Sequence, residues 1–362
     1  MGKLKIDKYL AFALIFALLN MGAILVIFGA QKYADSAEYI RVINWFQGED
    51  GSLPFHRLLK PLGFLIALPF EFLGEGAGLV VQNIFFYLLS ALLIFKITEL
   101  VYQNKKQALL ASIFFVSATP VIEVGLSYLV DSGGWFFYLF SIFLTLLYFK
   151  TRNEKLIILN GFLSGLGFLM KETGGLGVPF FGLMILFSGT LSLKEKILKM
   201  ARFGIIFLIP VVILQILVFK YFQFTYWDWY LMGRPGVEGE GVLLVFLRYL
   251  GQLFRILGIL WPFILIGAWR ELREKNWERL KIFLALIPSS FSFLLWSVNG
   301  GGRVVFIFAP LGILLATYGC KKIKPLMLGL IVLVILISNY FFVSVNKTIP
   351  FTDLIYTSIF SR

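Results

Sequence analysis

Apolar runs of about 20 residues recur along almost the whole chain, and short polar segments separate them. A helix of about 20 residues crosses the hydrocarbon core of a bilayer, because it rises about 1.5 Å per residue. The pattern therefore predicts an all-α polytopic membrane protein with about eleven transmembrane helices. The predicted spans are 9–30, 79–101, 108–128, 134–150, 156–171, 175–190, 203–221, 256–269, 282–298, 303–319 and 325–345.

The first predicted span is followed by a long loop, residues 31–78, in which polar and apolar positions are mixed. Its segment "DSAEYIRVINWF" places Asp35, Glu38 and Tyr39 on one helical face, since residues three and four apart are neighbours on a helix. The later segment 61–73 has only about 13 apolar residues, which is too short for a comfortable span. We therefore predict two membrane-surface helices in this loop and no additional span.

The positive charges are concentrated between the predicted spans. Most of the 33 Lys and Arg residues lie in the segments 1–8, 102–107, 150–155, 191–202, 270–281 and 320–324. Cytoplasmic loops of membrane proteins carry an excess of Lys and Arg, so we expect these segments and the N-terminus to be cytoplasmic. Residues 31–78 then form the first outer loop. The net charge of +13 is thus a sign of topology and indicates no nucleic-acid partner.

The composition agrees with a membrane protein. Hydrophobic residues make up 59% of the chain, charged residues 15%, and the mean hydropathy is +0.87. A soluble chain of this size would need more charged residues to cover its surface. The first apolar run also resembles a signal peptide, but its length of about 20 residues favours a retained span. We expect an integral protein of the cell (plasma) membrane, in contact with membrane lipids.

Several kinds of chemistry are excluded or disfavoured by the residues that are missing. Cys320 is the only cysteine, so no internal disulfide can form. His56 is the only histidine, which excludes zinc sites built on several His or Cys ligands. The sequence contains no dinucleotide-binding glycine motif in a strand–helix context and no Walker A motif, which argues against direct use of a nucleotide sugar.

A series of motifs follows the first span in a fixed order. They are "DSAEY", "LLKPLG", "ATPVIEVGLSYLVDSGGWFF", "GFLSGLGFLMKETGGLGVP" and "GGRVVFIFAPLGILLA". Over about residues 9–320 this order resembles the GT-C superfamily of integral membrane glycosyltransferases, which includes protein O-mannosyltransferases and lipid A aminoarabinose transferases. The resemblance implies a GT-C-like transmembrane domain over residues 1–345, with its catalytic loop at 31–78. A short outer tail, 346–362, is expected to follow.

The resemblance also implies a reaction. A sugar would pass from a polyprenyl-phosphate donor, of the dolichyl or undecaprenyl type, to a hydroxyl of a lipid, glycan or protein acceptor, with inversion and at the outer face. Such a site needs a base for the acceptor and cations for the donor phosphate. A polytopic lipid or sugar flippase or transporter is the alternative, although no internal repeat is visible. A non-enzymatic assembly subunit also stays open.

Three acidic residues are candidates for catalysis. The resemblance makes Asp35 the general base, since the family has an acid just after the first span. Glu38 is a second acid, a metal ligand or a solvated surface residue. Asp131 matches an acid that the family often carries facing the first loop. The structural alternative is that Asp35 and Asp131 cap the helices that follow them, because Asp is a favoured N-cap.

Four cations are candidates for binding the donor phosphate. Lys60 matches the Lys/Arg-Pro element of the family's first loop, and Arg57 lies three residues earlier. Lys171 stands in a glycine-rich break, and Arg303 follows "SVNGGG". At this last motif the family usually has Tyr after Arg, whereas this chain continues with two valines. The alternatives are contact with lipid headgroups and, for Lys171, an ion pair with the adjacent acid.

Three further predictions concern the outer segments and possible metal ions. Asp228 and Arg234, in the aromatic-rich segment 221–241, are candidates for a lid or acceptor loop. No cofactor is certain. If a divalent metal takes part, its ligands would be Asp35, Glu38 and Asp131. Glu123 lies in an apolar stretch and should have an intramembrane partner, because an isolated charge there is costly.

Overall fold

The computed structural model describes residues 7–49, 53–233, 242–295 and 301–348, and these residues form helices and no strands. The α-helices are α1 Lys8–Phe28, α2 Ala34–Phe46, α3 Phe55–Leu58, α4 Leu62–Ala67, α5 Ala77–Tyr102, α6 Lys105–Val116, α7 Thr119–Val124, α8 Asp131–Thr151, α9 Lys155–Met170, α10 Gly177–Leu186, α11 Leu193–Phe222, α12 Tyr226–Gly233, α13 Val242–Leu257, α14 Trp261–Glu274, α15 Trp277–Ser290, α16 Gly301–Val305, α17 Ala309–Gly319 and α18 Pro325–Thr348. The 3₁₀ turns are Leu68–Leu73, Glu172–Leu176, Gly258–Leu260, Ser292–Leu295 and Phe306–Phe308. The predicted all-α class is confirmed.

Within the described residues, seven helical segments are long and apolar enough to cross a membrane. They are Lys8–Phe28, Ala77–Tyr102, Asp131–Thr151, Leu193–Phe222, Phe246–Glu274, Gly301–Gly319 and Pro325–Val345. The shorter apolar helices are Leu62–Leu73, Lys155–Met170 and Glu172–Leu186. This result confirms a polytopic membrane protein, whereas the predicted number of eleven spans is not confirmed.

Some predicted spans are divided in the structure. The predicted span 108–128 consists of α6 and α7, and Pro120 lies at the start of α7, where its missing N–H costs no helical hydrogen bond. Beyond α7 the chain continues without a helix until α8 begins at Asp131. The break places Glu123 near the end of one helix and Asp131 at the start of the next.

The loop between α1 and α5 contains one continuous helix, α2, and a second region that is divided into α3, α4 and a 3₁₀ turn. The carboxylate of Glu71 in this turn accepts hydrogen bonds from the backbone N–H groups of Gly76, at 2.7 Å, and Gly78, at 3.0 Å. A Cβ at position 78 would overlap the carbonyl oxygen of Ala67, so this close approach requires glycine. These contacts fix the loop against the start of α5.

Buried polar side chains and small residues hold the helices together. The side-chain amide of Asn83 on α5 donates to the carbonyl oxygens of Ser127, at 2.8 Å, and Leu129, at 2.6 Å, in the segment before α8. A Cβ on Gly267 of α14 would overlap the carbonyl oxygen of Leu315 on α17, so these two helices lie in close contact. The first contact positions the start of α8, and the second fixes α17, which follows α16.

The helices alternate in direction, so their ends fall into two groups. One group contains the ends of α1, α7 and α9 and the beginnings of α8 and α16. The other group contains the helix ends in the basic segments, which are the Lys- and Arg-rich residues 102–107, 150–155, 191–202, 270–281 and 320–324. Asp131, Lys171 and Arg303 lie at helix ends of the first group. The remaining candidate acids and phosphate-binding cations lie in the loop that contains α2–α4, and this loop directly follows the end of α1.

Candidate active site

Asp35 lies in the first turn of α2 and does not cap the helix. The start of α2 is instead closed by Ser36, whose hydroxyl oxygen accepts the backbone N–H of Tyr33 at 2.9 Å. The Asp35 carboxylate is directed at two guanidinium groups. Its Oδ2 accepts from Nη2 of Arg303 at 2.6 Å, and its Oδ1 lies 3.2 Å from Nη2 of Arg57. The capping alternative for Asp35 is therefore wrong.

These two arginines set the protonation of Asp35. Burial by itself would raise the pKa of Asp35, but the hydrogen bond and charge of Arg303, with the charge of Arg57, outweigh it and lower the pKa below the ordinary value for aspartate. The carboxylate is consequently ionised at neutral pH.

Arg57 connects α3 to three side chains of α2. Besides its contact with Asp35, its Nε donates to Glu38 at 2.7 Å, and its Nη1 donates to the hydroxyl of Tyr39 at 3.0 Å. The guanidinium also stacks on the Tyr39 ring, 4.5 Å from its centroid. Nε2 of His56 lies 3.2 Å from the same Glu38 oxygen, and burial, with the charge of Arg57, lowers the pKa of His56.

Asp131 is the first residue of α8, and its side chain is fully buried. One carboxylate oxygen forms an ion pair with Nζ of Lys171, and the other lies 3.9 Å from Nη1 of Arg303. A buried carboxylate requires such partners, because burying an isolated charge is very costly. We call the set Asp35, Glu38, Arg57, Asp131, Lys171 and Arg303 the ion-pair network; its contacts join five separate segments of the chain.

Lys60 belongs to a neighbouring ion pair. Its ammonium group pairs with the carboxylate of Glu172, which follows Lys171 in the chain, and it lies 4.6 Å from the centroid of the Trp229 ring. The hydroxyl of Tyr226 donates to the carbonyl oxygen of Leu59 at 3.3 Å, so α12 packs over the segment that carries Lys60. The suggested pair between Lys171 and the adjacent Glu172 is therefore replaced by two pairs between distant segments, Lys171 with Asp131 and Glu172 with Lys60.

The structure gives Asp228 a local contact with Thr225, the residue just before its own helix. Its carboxylate accepts the backbone N–H of Thr225 at 2.8 Å and the Thr225 hydroxyl at 2.6 Å, which stabilises the start of α12. The α12 helix thus reaches the site through Trp229 and Tyr226. Arg234 and the tail beyond Thr348 lie outside the described residues.

The sequence indicated that Glu123 needs a partner but did not identify it. Nη2 of Arg255 on α13 donates to both Glu123 oxygens, at 2.9 Å and 3.1 Å. The hydroxyl of Tyr33 donates to the Glu123 carbonyl oxygen at 2.8 Å, so this pair lies beside the start of α2. Tyr39, Glu172 and Trp229 were likewise not predicted as site residues. Their contacts join distant segments, and no local pattern marks them.

The three acids proposed as metal ligands each face a cation. Asp35 contacts Arg303, Glu38 contacts Arg57, and Asp131 contacts Lys171. Among the described residues, no three His, Cys, Asp or Glu side chains form a group that could hold a metal ion. In this arrangement the acids do not make up a metal-ligand set.

An apolar cavity of about 430 Å³ begins beside the Lys60–Glu172 pair. Glu172 is one of its lining residues, and the others are Phe168, Gly175, Leu176, Val178, Phe207 and Ser292. The cavity lies between the break after α9, the helix α11 and the turn after α15. An apolar space with charged groups at one side suits an amphiphile with a polar headgroup.

The helical membrane fold carries a cluster of paired charges at one end of its helices. Residues 62–214 match the protein family described as dolichyl-phosphate-mannose-protein mannosyltransferase, and this match confirms the GT-C resemblance. The matched region contains Asp131 and Lys171, while Asp35, Arg57 and Arg303 lie outside it. No curated protein matches the chain.

Proposed function

We propose that the protein transfers a sugar from a polyprenyl-phosphate donor to the hydroxyl group of an acceptor, with inversion at the sugar's anomeric carbon. The observation that carries this proposal is the ion-pair network, in which a single carboxylate, Asp35, contacts two arginines from distant segments. Sugar transfer requires both a group that accepts the proton of the acceptor hydroxyl and cations that bind the donor phosphate. The network offers both kinds of group within direct contact of one another.

Four cations are available to the donor phosphate in this proposal: Arg57, Lys60, Lys171 and Arg303. Arg57 and Arg303 have planar guanidinium groups, which match the oxygens of a phosphate in a bidentate way. Lys60 lies at the side of the apolar cavity through its ion pair with Glu172. The polyprenyl chain would therefore leave the phosphate along the cavity, since its lipid tail requires apolar surroundings.

The proposed chemical step uses these groups as follows. The acceptor hydroxyl gives its proton to the Asp35 carboxylate while its oxygen forms a bond to the anomeric carbon of the sugar. The bond from that carbon to the phosphate oxygen breaks, and the electron pair leaves with the polyprenyl phosphate. The cations stabilise the charge that develops on this leaving group. A single displacement of this kind inverts the configuration, and no proton donor is needed for the phosphate.

We place this site at the outer face of the plasma membrane. Its support is the distribution of Lys and Arg residues, which are concentrated in the basic segments at the opposite ends of the helices. Cytoplasmic loops carry the excess of Lys and Arg, so the N-terminus would be inside. A donor whose phosphate lies at the outer surface can keep its tail in the bilayer throughout the reaction.

Purified protein in lipid nanodiscs provides the test. Polyprenyl-phosphate mannose, labelled in the sugar, is incubated with a membrane extract as the source of acceptors, and release of polyprenyl phosphate is measured. We expect release with the wild-type protein and with Glu278→Gln, a control that changes an exposed acid paired with Lys281 far from the network. Asp35→Asn should abolish most of the release of polyprenyl phosphate. Other polyprenyl-phosphate sugars identify the donor if mannose is not accepted.

Two results would contradict the proposal. Transfer from a nucleotide sugar without any lipid carrier would show that the donor class is wrong. In vesicles that contain the protein, movement of the labelled donor across the membrane with its sugar bond intact, and no release with any of the sugars, would favour the flippase alternative.

A further inference from the structure

The ion-pair network holds Asp35 in a state that is poorly suited to a base. Arg303 contacts one carboxylate oxygen at 2.6 Å, and Arg57 lies 3.2 Å from the other. Both guanidinium groups stabilise the ionised form, and a carboxylate stabilised in this way accepts a proton weakly. Proton transfer from an acceptor hydroxyl would be easier if one of these contacts were released first.

Arg303 lies between two carboxylates that differ in their freedom to move. Its Nη2 donates to Asp35 at 2.6 Å, and its Nη1 lies 3.9 Å from Oδ2 of Asp131. The Asp131 side chain is 0% exposed and is held by Lys171, whereas the Asp35 side chain is 31% exposed. Within the described residues, Oδ2 of Asp131 is buried and has no hydrogen-bond partner. Asp131 is thus the fixed neighbour of Arg303, and Asp35 is the partner that can be exchanged.

The pairing of charges in the site also indicates that Asp35 can be replaced. The network and the adjacent Lys60–Glu172 pair contain four cations and four carboxylates, all in contact with a partner of opposite charge. An incoming phosphate finds no unpaired cation in this set and must take a place now held by a carboxylate. Arg303 is the natural position, since its side chain is 27% exposed, against 14% for Arg57 and for Lys171 and 12% for Lys60, and a guanidinium binds phosphate as readily as carboxylate.

We propose that the donor phosphate replaces Asp35 on Arg303, so that Asp35 becomes free to act as the base only when a donor is bound. Arg303 keeps Asp131 beside its Nη1 while its Nη2 changes partner. The released carboxylate then faces an added negative charge, which favours its protonated form and strengthens it as a proton acceptor. This inference rests on the proposed function and adds an order of events to it.

Equilibrium binding of a polyprenyl phosphate without a sugar tests the exchange, because this ligand has the phosphate but cannot react. Its affinity is measured in nanodiscs for the wild type, Asp35→Asn, Arg303→Lys and the double variant. Asp35→Asn removes the competitor for Arg303, so it should bind the ligand about threefold to tenfold more tightly. Arg303→Lys keeps the positive charge beside Asp131 but removes the second guanidinium nitrogen, which contacts Asp35. In this background Asp35→Asn should therefore improve binding less than about twofold.

The two backgrounds distinguish competition for Arg303 from a general relief of repulsion. An equal gain from Asp35→Asn in both backgrounds would mean that only repulsion between Asp35 and the phosphate is removed, and would overturn the inference. No gain, or weaker binding, in the wild-type background would overturn it as well. If no protein binds polyprenyl phosphate at all, the proposed donor class itself is wrong. Gel filtration of each variant shows whether it is folded, and Glu123→Gln serves as a nearby carboxylate substitution that leaves Arg303 unchanged.

Discussion

Removing Lys171 should destabilise the protein strongly, because it leaves a buried carboxylate with too few partners. In Lys171→Met, Asp131 loses its ion pair, and the nearest remaining cation atom is Nη1 of Arg303 at 3.9 Å. The Asp131 side chain is 0% exposed, so water does not replace the lost partner. Breaking a buried pair from one side costs about 3–5 kcal/mol, and we expect a loss in this range.

Unfolding by SDS in mixed micelles, followed by circular dichroism, measures this loss as a shift of the transition midpoint. The double variant Lys171→Met with Asp131→Asn removes both charges and should recover most of the stability, since replacing a whole buried pair is often nearly neutral. Lys281→Met is the matched control. Its ion pair with Glu278, at 2.7 Å, is on the surface, so its removal should cost at most about 1 kcal/mol.

The comparison decides whether the pair holds Asp131 in place. If Lys171→Met is no less stable than Lys281→Met, the buried pair contributes little and does not hold the start of α8. If the double variant is less stable than Lys171→Met, the cost comes from lost packing of the two side chains and not from an uncompensated charge.

Three other predictions concern catalysis, packing and pH. Asp35→Asn should keep the fold but lose roughly 10²-fold or more in turnover, and near-normal turnover would mean that the base is another residue. Gly267→Ala should cost about 1–3 kcal/mol because its Cβ would overlap the carbonyl oxygen of Leu315, whereas Gly204→Ala, where nothing lies within 4 Å, should be neutral or slightly stabilising; equal effects in SDS unfolding would contradict the close packing of α14 and α17. Because the pKa of Asp35 is lowered in the folded protein, its contribution to stability is complete above about pH 4, the ordinary range for aspartate, and is lost only as the pH falls through the lowered value. The difference in melting temperature between wild type and Asp35→Asn should therefore be constant from about pH 5 to 8 and shrink below about pH 4, and a decline at neutral pH would contradict the assigned direction.

The sequence predicted the helical class correctly, for a physical reason. Length and apolarity report whether a helix can cross a bilayer, and these are local properties of the chain. The order of the motifs placed Asp35, Asp131, Lys171 and Arg303 at helix ends on one side, and the structure brings these four residues into contact. Their catalytic and phosphate-binding roles stay predictions.

The sequence could not predict which charged residues form ion pairs with each other. Asp35 and Arg303 are 268 residues apart in the chain, and no periodicity or capping rule links residues at such a separation. For Asp35 the sequence analysis favoured a general base and left a helix cap as the alternative, because Asp is a common N-cap. In the structure Ser36 bonds the backbone at the start of the helix, and the Asp35 carboxylate contacts Arg57 and Arg303 instead. The partner of Glu123 was equally hidden until α13 packed beside α7.

The sequence by itself determined that the chain forms the apolar helices of a membrane protein, since these depend on the composition and length of each segment. It did not determine the number of spans: eleven were predicted, and seven helical segments of the described residues are long and apolar enough to cross a membrane. It also determined which charged residues lie at helix ends, where the cost of burying them is smallest. Only the tertiary structure decided which carboxylate pairs with which Lys or Arg side chain. A charge in a partly buried site takes the partner that helix packing brings within about 4 Å, and that distance is set by the close contacts of the whole bundle.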